Sequence, residues 1–344
     1  MIHKVISAIW VFLIIVGLSG CQPESPLRPK TTGLPMKIAI HYWPGHFWVE
    51  IAHNKGWIKE AGLNVELVDV NDNFLPSVQD WVDGKMDVNH PVFFDLIKFN
   101  AQGADLVAVV VTDLSFDGDG IVARKEIENV KDLRGKSIGL ERGTFTEFLL
   151  SAVLNRNRMT LADVELVQNP SEKIQPLVDG KLDALVTWEP HLNEAADKGK
   201  GYRIFGTAEI PGLISDVIGF HRSFISRRPG DVQAYVNVWH KTTTFIKENP
   251  KEAFGIIASI YNKSLGEVQA FAQVDKVLNL KNNLKAFTFG TGFESLYGTA
   301  REINNFMINK GMVDKQMDSA IFIDGTFIRN LRNALYADAQ GKNL

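Results

Sequence analysis

Two similar α/β lobes are the fold predicted from this sequence, on three observations. From Met36 onward, short apolar runs alternate with helix-like periodicity, the pattern restarts at Gly120, and one ten-residue segment recurs in both halves. Strands separated by helices imply a mostly parallel sheet with helices packed against it. The recurring segments are Val78–Asp87 (VQDWVDGKMD) and Ile174–Asp183 (IQPLVDGKLD). Their 96-residue offset is too long for a solenoid repeat and fits two related lobes. Each reads as a helix stopped at glycine that feeds a short strand opening at aspartate.

The elements follow in order. Lys37–Tyr42 alternates like a strand, and Phe47–Lys55 carries apolar residues at helical spacing before Gly56. Asn64–Val70 is a strand, Pro76–Asp83 a helix, Asp87–Asn89 a short strand and Pro91–Gln102 a helix entered at proline. Asp105–Thr112 is a buried strand. In the second half, Gly120–Arg124, Lys136–Glu141, Val164–Gln168 and Asp183–Trp188 read as strands, with helices at Thr146–Asn155 and Ser171–Val178. After Ser215–Phe220 the pattern turns helical: Pro229–Asn249, Pro250–Tyr261, Ser264–Gln273, Phe293–Asn309 and Gly325–Tyr336. Ser264 and Glu267 form a capping-box signature. This helical part is expected to pack back on the first lobe. Trp57, Trp81 and Trp239 lie on helical patterns and read as core aromatics.

Composition narrows the function classes. The chain has 344 residues, 37 basic and 40 acidic side chains, a formal charge of −3 and one cysteine. That charge lacks the footprint of a nucleic-acid binder. A single cysteine excludes a disulfide framework and every multi-thiolate zinc site. Residues 1–20 read as an export signal: a basic start at Met1–Lys4, the apolar run Val5–Val16, then Leu18-Ser19-Gly20 before Cys21. The small residues before the only cysteine resemble a lipoprotein processing box, which implies diacylation of Cys21 and attachment to the outer face of a membrane. Residues 21–35, with Pro23, Pro26, Pro29 and Gly33, read as an extended, poorly ordered tether. No apolar run after residue 20 is long enough to span a bilayer.

Several stretches carry a family resemblance. They are Trp43-Pro44-Gly45, the run from Lys55 to Val65 (KGWIKEAGLNV), Val82–Asp87, Val130–Lys136 (VKDLRGK) and Trp188-Glu189-Pro190-His191. The chain resembles the solute-binding proteins of ABC importers, in the nitrate, alkanesulfonate and taurine group that includes binders of thiamine's pyrimidine precursor. The resemblance implies a type II periplasmic binding fold, two lobes joined by two hinge crossings. Here lobe one would comprise residues 36–116 plus 217–344, and lobe two residues 117–216.

Ligands of α/β sheets sit beyond the carboxyl ends of strands. The residues there are Trp43, His46, Asn89, His90, Phe116, Asp117, Arg142, Gly143, Thr144, Trp188, Glu189 and Asp216. Aromatic Trp43, Phe116 and Trp188 beside the acids Asp117, Glu189 and Asp216 suit an amine or another protonated nitrogen. Each acid could instead form a hinge or interlobe ion pair. Arg142-Gly143-Thr144 opens a helix and would suit a sulfonate, carboxylate or phosphate, although Thr144 and Glu147 also form a capping box that would satisfy some of those donors. His46 and His90 read as hydrogen-bonding groups. With the acids they could bind a metal, but no H-x-H, H-E-x-x-H or Cys/His spacing supports one. No cofactor or nucleotide motif appears.

The resemblance implies a lipid-anchored, monomeric receptor of the cell envelope that delivers a small organic nitrogen or sulfur compound to ABC permease subunits. A taurine- or alkanesulfonate-like ligand is one expectation and an aminopyrimidine thiamine precursor another. A ligand sensor serving a signalling partner would share these features. A pyrimidine synthase shares the fold, but that enzyme is associated with a cysteine-rich segment, and this chain has no cysteine after Cys21.

Overall fold

The first four strands, β1 (Pro35–Ile40), β2 (Asn64–Asp69), β3 (Val88–Asn89) and β4 (Leu106–Ser115), build one sheet before the chain leaves it. The computed structural model describes residues 25–71, 73–199 and 201–341; residues 1–20, read as an export signal, and Cys21 lie outside the described residues. A second sheet takes β5 (Asp119–Arg124), β6 (Ser137–Leu140), β7 (Glu165–Gln168), β8 (Ala184–Trp188) and β9 (Gly201–Gly206). The chain then returns to the first sheet with β10 (Ser215–His221) and β11 (Asp275–Val277). Strand orders are β11-β4-β10-β3-β1-β2 and β7-β6-β8-β5-β9. The result is the bilobed α/β architecture expected.

The sheets are mixed rather than mostly parallel. Strands β1–β2, β1–β3, β6–β7 and β6–β8 pair in parallel. By contrast β5 and β10 run antiparallel to both neighbours, and β11 runs antiparallel to β4. The physical reason lies in the connections. β5 and β10 receive the chain directly from the other sheet, so no crossover helix sets their direction. The two crossings touch: the Ser115 and Thr207 hydroxyls lie 2.7 Å apart, and the Asp117 amide donates to Thr207 Oγ1 at 3.1 Å.

The repeated segment has a structural task. Gly84 and Gly180 sit at φ of +76° and +73°, where a helix C-terminus turns and glycine is unstrained. Asp87 then accepts the Lys37 amide at 2.8 Å, and its own amide donates to the Lys37 carbonyl at 3.0 Å. Asp183 does the same in the second lobe: it accepts the Ser137 amide at 2.9 Å and donates its amide to the Ser137 carbonyl at 2.9 Å. Both aspartates fasten the start of the neighbouring parallel strand.

Two local readings change. Residues 26–35 are strapped to lobe one rather than loose. Thr32 donates its amide (2.7 Å) and hydroxyl (2.6 Å) to the buried Asp231 carboxylate. Arg228 donates to the carbonyls of Leu34 and Pro35, and Asn237 to that of Pro26. Trp81 and Trp239 are core residues as expected, whereas Trp57 is half-buried. Trp57 packs edge-on against Phe245 with the Lys241 ammonium 4.4 Å above its ring.

Candidate functional site

The carboxyl ends of the central strands converge between the two sheets. Strand β1 runs into His41 and Trp43, and Pro44–His46 forms a tight 3-10 turn that leads into the Phe47–Asn54 helix. Gly45 is required there, since a Cβ at that position would lie 1.4 Å from Asp113 Oδ2. The end of β4 therefore lays its carboxylate directly on the turn. Asp113 and Asp216 are cross-strand partners on β4 and β10, next to a register shift between Asp216 and Val217. Like charges directly opposite each other destabilise a sheet, and bulges near sites re-aim side chains. Asp119 opens β5, and Asp275 opens β11 opposite Ser115.

These ends enclose a narrow cavity. Its polar lining is Asp113, Ser115, Asp119 and Asp216; rings come from His41, Trp43, Phe74, Phe145 and Trp188. Val92 and Ile214 complete the wall. The space is tight, with about 30 Å³ that takes the centre of a water-sized molecule.

Its electrostatics are one-sided. Burial, reinforced by neighbouring carboxylates, pushes Asp113, Asp216 and Asp275 well above the ordinary aspartate range. Burial pushes Asp119 up to about 7. His41 and His46 fall to about 3, chiefly through burial, and so are neutral imidazoles. Among the described residues, none of these four acids forms an ion pair with lysine or arginine.

The residues singled out from the sequence fall into three groups. Trp43, Trp188 and Asp216 line the cavity. His46 lies just behind, with Nε2 3.2 Å from Asp216 Oδ2. The ring of His90 packs 5.0 Å from that of His46 and its Nε2 meets the Tyr235 hydroxyl at 3.2 Å. Asn89 is buried framework: it donates to the Ser77 carbonyl at 3.2 Å and accepts the His90 amide at 2.7 Å.

The second group sits at the crossings or beside them. Phe116 is 43% exposed. Asp117 adopts φ +74° and accepts the Ala208 amide at 3.2 Å. Glu189 is buried in an ion pair with Arg203 and accepts the Asn193 amide at 3.2 Å.

Arg142, Gly143 and Thr144 form the third group, outside the cavity; Arg142 and Thr144 line a separate interlobe groove with Asp95 and Glu141. The Arg142 guanidinium donates to the Leu166 carbonyl, and its amide to Gln168 Oε1 at 3.0 Å. The Gly143 amide donates to Glu147 Oε2 at 2.8 Å, and Thr144 Oγ1 accepts the Thr146 amide at 3.3 Å. The expected Thr144–Glu147 capping box is replaced by bonds one residue displaced, Glu147 on the Gly143 amide and Thr144 on the Thr146 amide, and these still take donors that an anion would need.

His41, Phe74, Asp113, Asp119 and Phe145 of the lining, with Asp275 beside it, are among the site residues that sequence reasoning passed over. The signal for Asp113 was present: an acid inside an otherwise apolar strand, Leu106–Ser115, is costly unless it is used. Ending that strand at Thr112 hid it.

Comparison with known proteins agrees with this architecture. Residues 43–253 match the family described as NMT1/THI5 like. A Brucella abortus protein, named provisionally as a binding protein, is 24% identical over 269 residues, covering 73% of this chain and 79% of that one. The 4-amino-5-hydroxymethyl-2-methylpyrimidine phosphate synthase of Aspergillus parasiticus is 25% identical over 233 residues, 62% of this chain and 66% of that one. Among solved structures, the periplasmic aliphatic sulphonate binding protein of Escherichia coli superposes with a TM-score of 0.65 at 14% identity, covering 84% of this chain and 92% of that one. At that identity the superposition establishes the fold, the two-lobed type II periplasmic binding arrangement.

Proposed function

The chain belongs to the NMT1/THI5-like family, and from that premise we propose that it is the solute-binding component of an ABC importer, closing on a small, flat, nitrogen-rich solute of the aminopyrimidine kind. One observation carries the ligand class. The cavity presents three carboxylates, Asp113, Asp119 and Asp216, between aromatic rings, and among the described residues no lysine or arginine lines it.

That lining ranks the solutes. An anion 4 Å from one carboxylate is repelled by about 4 kcal/mol at an effective dielectric near 20. Nitrate therefore fits poorly. Taurine would satisfy the acids with its ammonium but leave its sulfonate without a cation. An aminopyrimidine offers a flat face to Trp43 and Trp188, amino N–H donors to the carboxylates, and a ring nitrogen that a raised carboxyl can protonate or share a proton with. The Aspergillus relative, whose name gives a pyrimidine phosphate as product, supports the same class.

Closure is the mechanism this reading needs. Asp113 and Asp216 come from one sheet, Asp119, Phe145 and Trp188 from the other lobe, so a solute meets both sets only when the lobes are shut. It stabilises the closed state in proportion to its greater affinity for it. The crossings at Phe116–Gly118 and between Gly206 and Ser215 are where the backbone would bend. Diacylated Cys21 would hold the closed receptor beside its permease on the extracytoplasmic face. The solute is handed over unchanged.

Calorimetric titration of metal-free protein tests the proposal. An aminopyrimidine is expected to bind with a micromolar Kd, about −8.2 kcal/mol. Taurine and nitrate are expected to give no heat at the same concentrations. Tighter binding of taurine than of the aminopyrimidine would overturn the ligand class.

A further inference from the structure

Beneath the cavity, His46, Asp113 and Asp216 each place one donor atom within 4.8 Å of the others, all three side chains buried. We propose that they hold a divalent transition-metal ion of the Zn²⁺ class. The three come from separate elements, the turn after β1, the end of β4 and the start of β10, so only the folded lobe assembles them.

The histidine is the observation that separates this cluster from a mere gathering of acids. His46 is 2% exposed, and among the described residues neither of its ring nitrogens has a hydrogen-bond partner. Nε2 lies 3.2 Å from Asp216 Oδ2, yet without the alignment of a hydrogen bond. Leaving a buried polar group unpaired costs roughly 1–3 kcal/mol, so such a group needs an explanation. Two ligands on a tetrahedral ion with bonds near 2.0–2.2 Å stand roughly 3.3 Å apart. The observed spacing is that of two donors to one ion, and Asp113 has to close by no more than about 1.5 Å to join them. Gly45 leaves the room for this, because any Cβ there would displace the Asp113 carboxylate from the turn that carries His46.

The donor set indicates the metal. One neutral imidazole with two carboxylates, and no thiolate, suits Zn²⁺, Fe²⁺ or Mn²⁺ and not a soft monovalent ion. Asp275, buried on the strand paired with β4, lies beside Asp113 and adds negative charge next to the ion. Asp113 and Asp216 also line the cavity, so the ion's remaining position faces it. Asp119 and the aromatic walls stay free for a solute. The inference goes beyond the solute reading and does not depend on it.

The test uses the full chain in detergent, without a polyhistidine tag, stripped with EDTA and titrated with ZnCl₂ alone. Native mass spectrometry is expected to show one ion per chain, and calorimetry a Kd in the micromolar range or tighter. His46→Ala and Asp216→Asn should each weaken that affinity at least about tenfold, while Asp87→Asn, at the far end of the sheet, leaves it unchanged. His46→Gln serves if the alanine variant fails to fold, with circular dichroism as the check. Co²⁺ in place of Zn²⁺ should give a ligand-field spectrum that His46→Ala abolishes. Absence of stoichiometric binding, or an affinity that survives in the folded His46 and Asp216 variants, would overturn the site. Aminopyrimidine titration of the stripped protein reads the solute proposal separately.

Discussion

Two sets of buried carboxylates face the region between the lobes, and they differ in their company. Glu189 has the Arg203 guanidinium and the Asn193 amide; Glu147 has the Lys310 ammonium at 2.6 Å and the Gly143 amide. Asp113, Asp119, Asp216 and Asp275, at the ends of β4, β5, β10 and β11, have no such cation among the described residues. A buried acid that carries its own cation belongs to the structure. One that lacks a cation holds a proton or waits for positive charge from outside, and this is what locates the site.

The largest expected contrast is in pH dependence. Asp119 is pushed up to about 7 by burial, against 3.8 in the unfolded chain. The folded protein then binds this proton more tightly than the unfolded chain does. Its contribution to stability is complete below about pH 4 and is lost as the pH rises through 7, up to about 4 kcal/mol. Urea unfolding of solute-free, metal-free protein should show lower stability at pH 8 than at pH 5, and Asp119→Asn should flatten that slope. The solute should follow the same trend, because a neutral aminopyrimidine shares the proton that the raised carboxyl carries into the complex. Its Kd is expected to weaken as the pH rises above 7. A solute affinity independent of pH from 6 to 8 would remove Asp119 from the contact.

Next in size are paired substitutions with opposite signs. Arg203→Ala strands Glu189 as a buried charge and should destabilise the protein by about 3 kcal/mol in denaturant unfolding. Asp216→Asn removes a carboxylate that has no cation, so the solute-free protein should become more stable. The same change should weaken solute binding by about 1.5–3 kcal/mol, the worth of a hydrogen bond to a charged group. Equal and destabilising effects from both variants would erase the distinction between the two sets.

How much of this was legible in the sequence depended on whether the deciding interaction was local. The alternation of strands and helices, the positions of Trp43 and Trp188 at strand ends, and Thr144 as the cap of its helix are written in neighbouring residues. So is the repeat around Gly84 and Gly180. Asp113 was hidden because a run as apolar as Val107–Val111 looks finished at Thr112, and only pairing with β10 carries the strand on to Ser115. The pairing of Glu189 with Arg203 joins β8's end to β9, a strand whose Tyr202 and Arg203 interrupt any apolar pattern. The strapping of residues 26–35 likewise rests on Asp231, about two hundred positions away. Long-range partners decide which acids are free, and no spacing rule reports them.

The smallest effect compares the two copies of the repeat, far from the cleft at the opening ends of β1 and β6. Among the described residues, Asp87 accepts only the Lys37 amide, in a solvent-exposed bond. Asp183 accepts both the amide (2.9 Å) and the hydroxyl (3.0 Å) of Ser137, half-buried. Against the upward push of burial, those two donors hold the Asp183 carboxyl below the ordinary range. Asp87→Ala should therefore cost about 0.5–1 kcal/mol and Asp183→Ala about 1–1.5 kcal/mol. Asp183 is depressed in the folded state, so its contribution is present above the unfolded pKa and fades as the pH falls through the folded one; at strongly acid pH the two variants should unfold alike. Neither should change solute affinity, because both lie at the ends of their strands opposite the cavity. A folded Asp183→Ala protein with weakened solute binding would show that lobe two transmits strain from its far edge to the cleft, and the separation between structural and binding carboxylates would have to be redrawn to include the repeat.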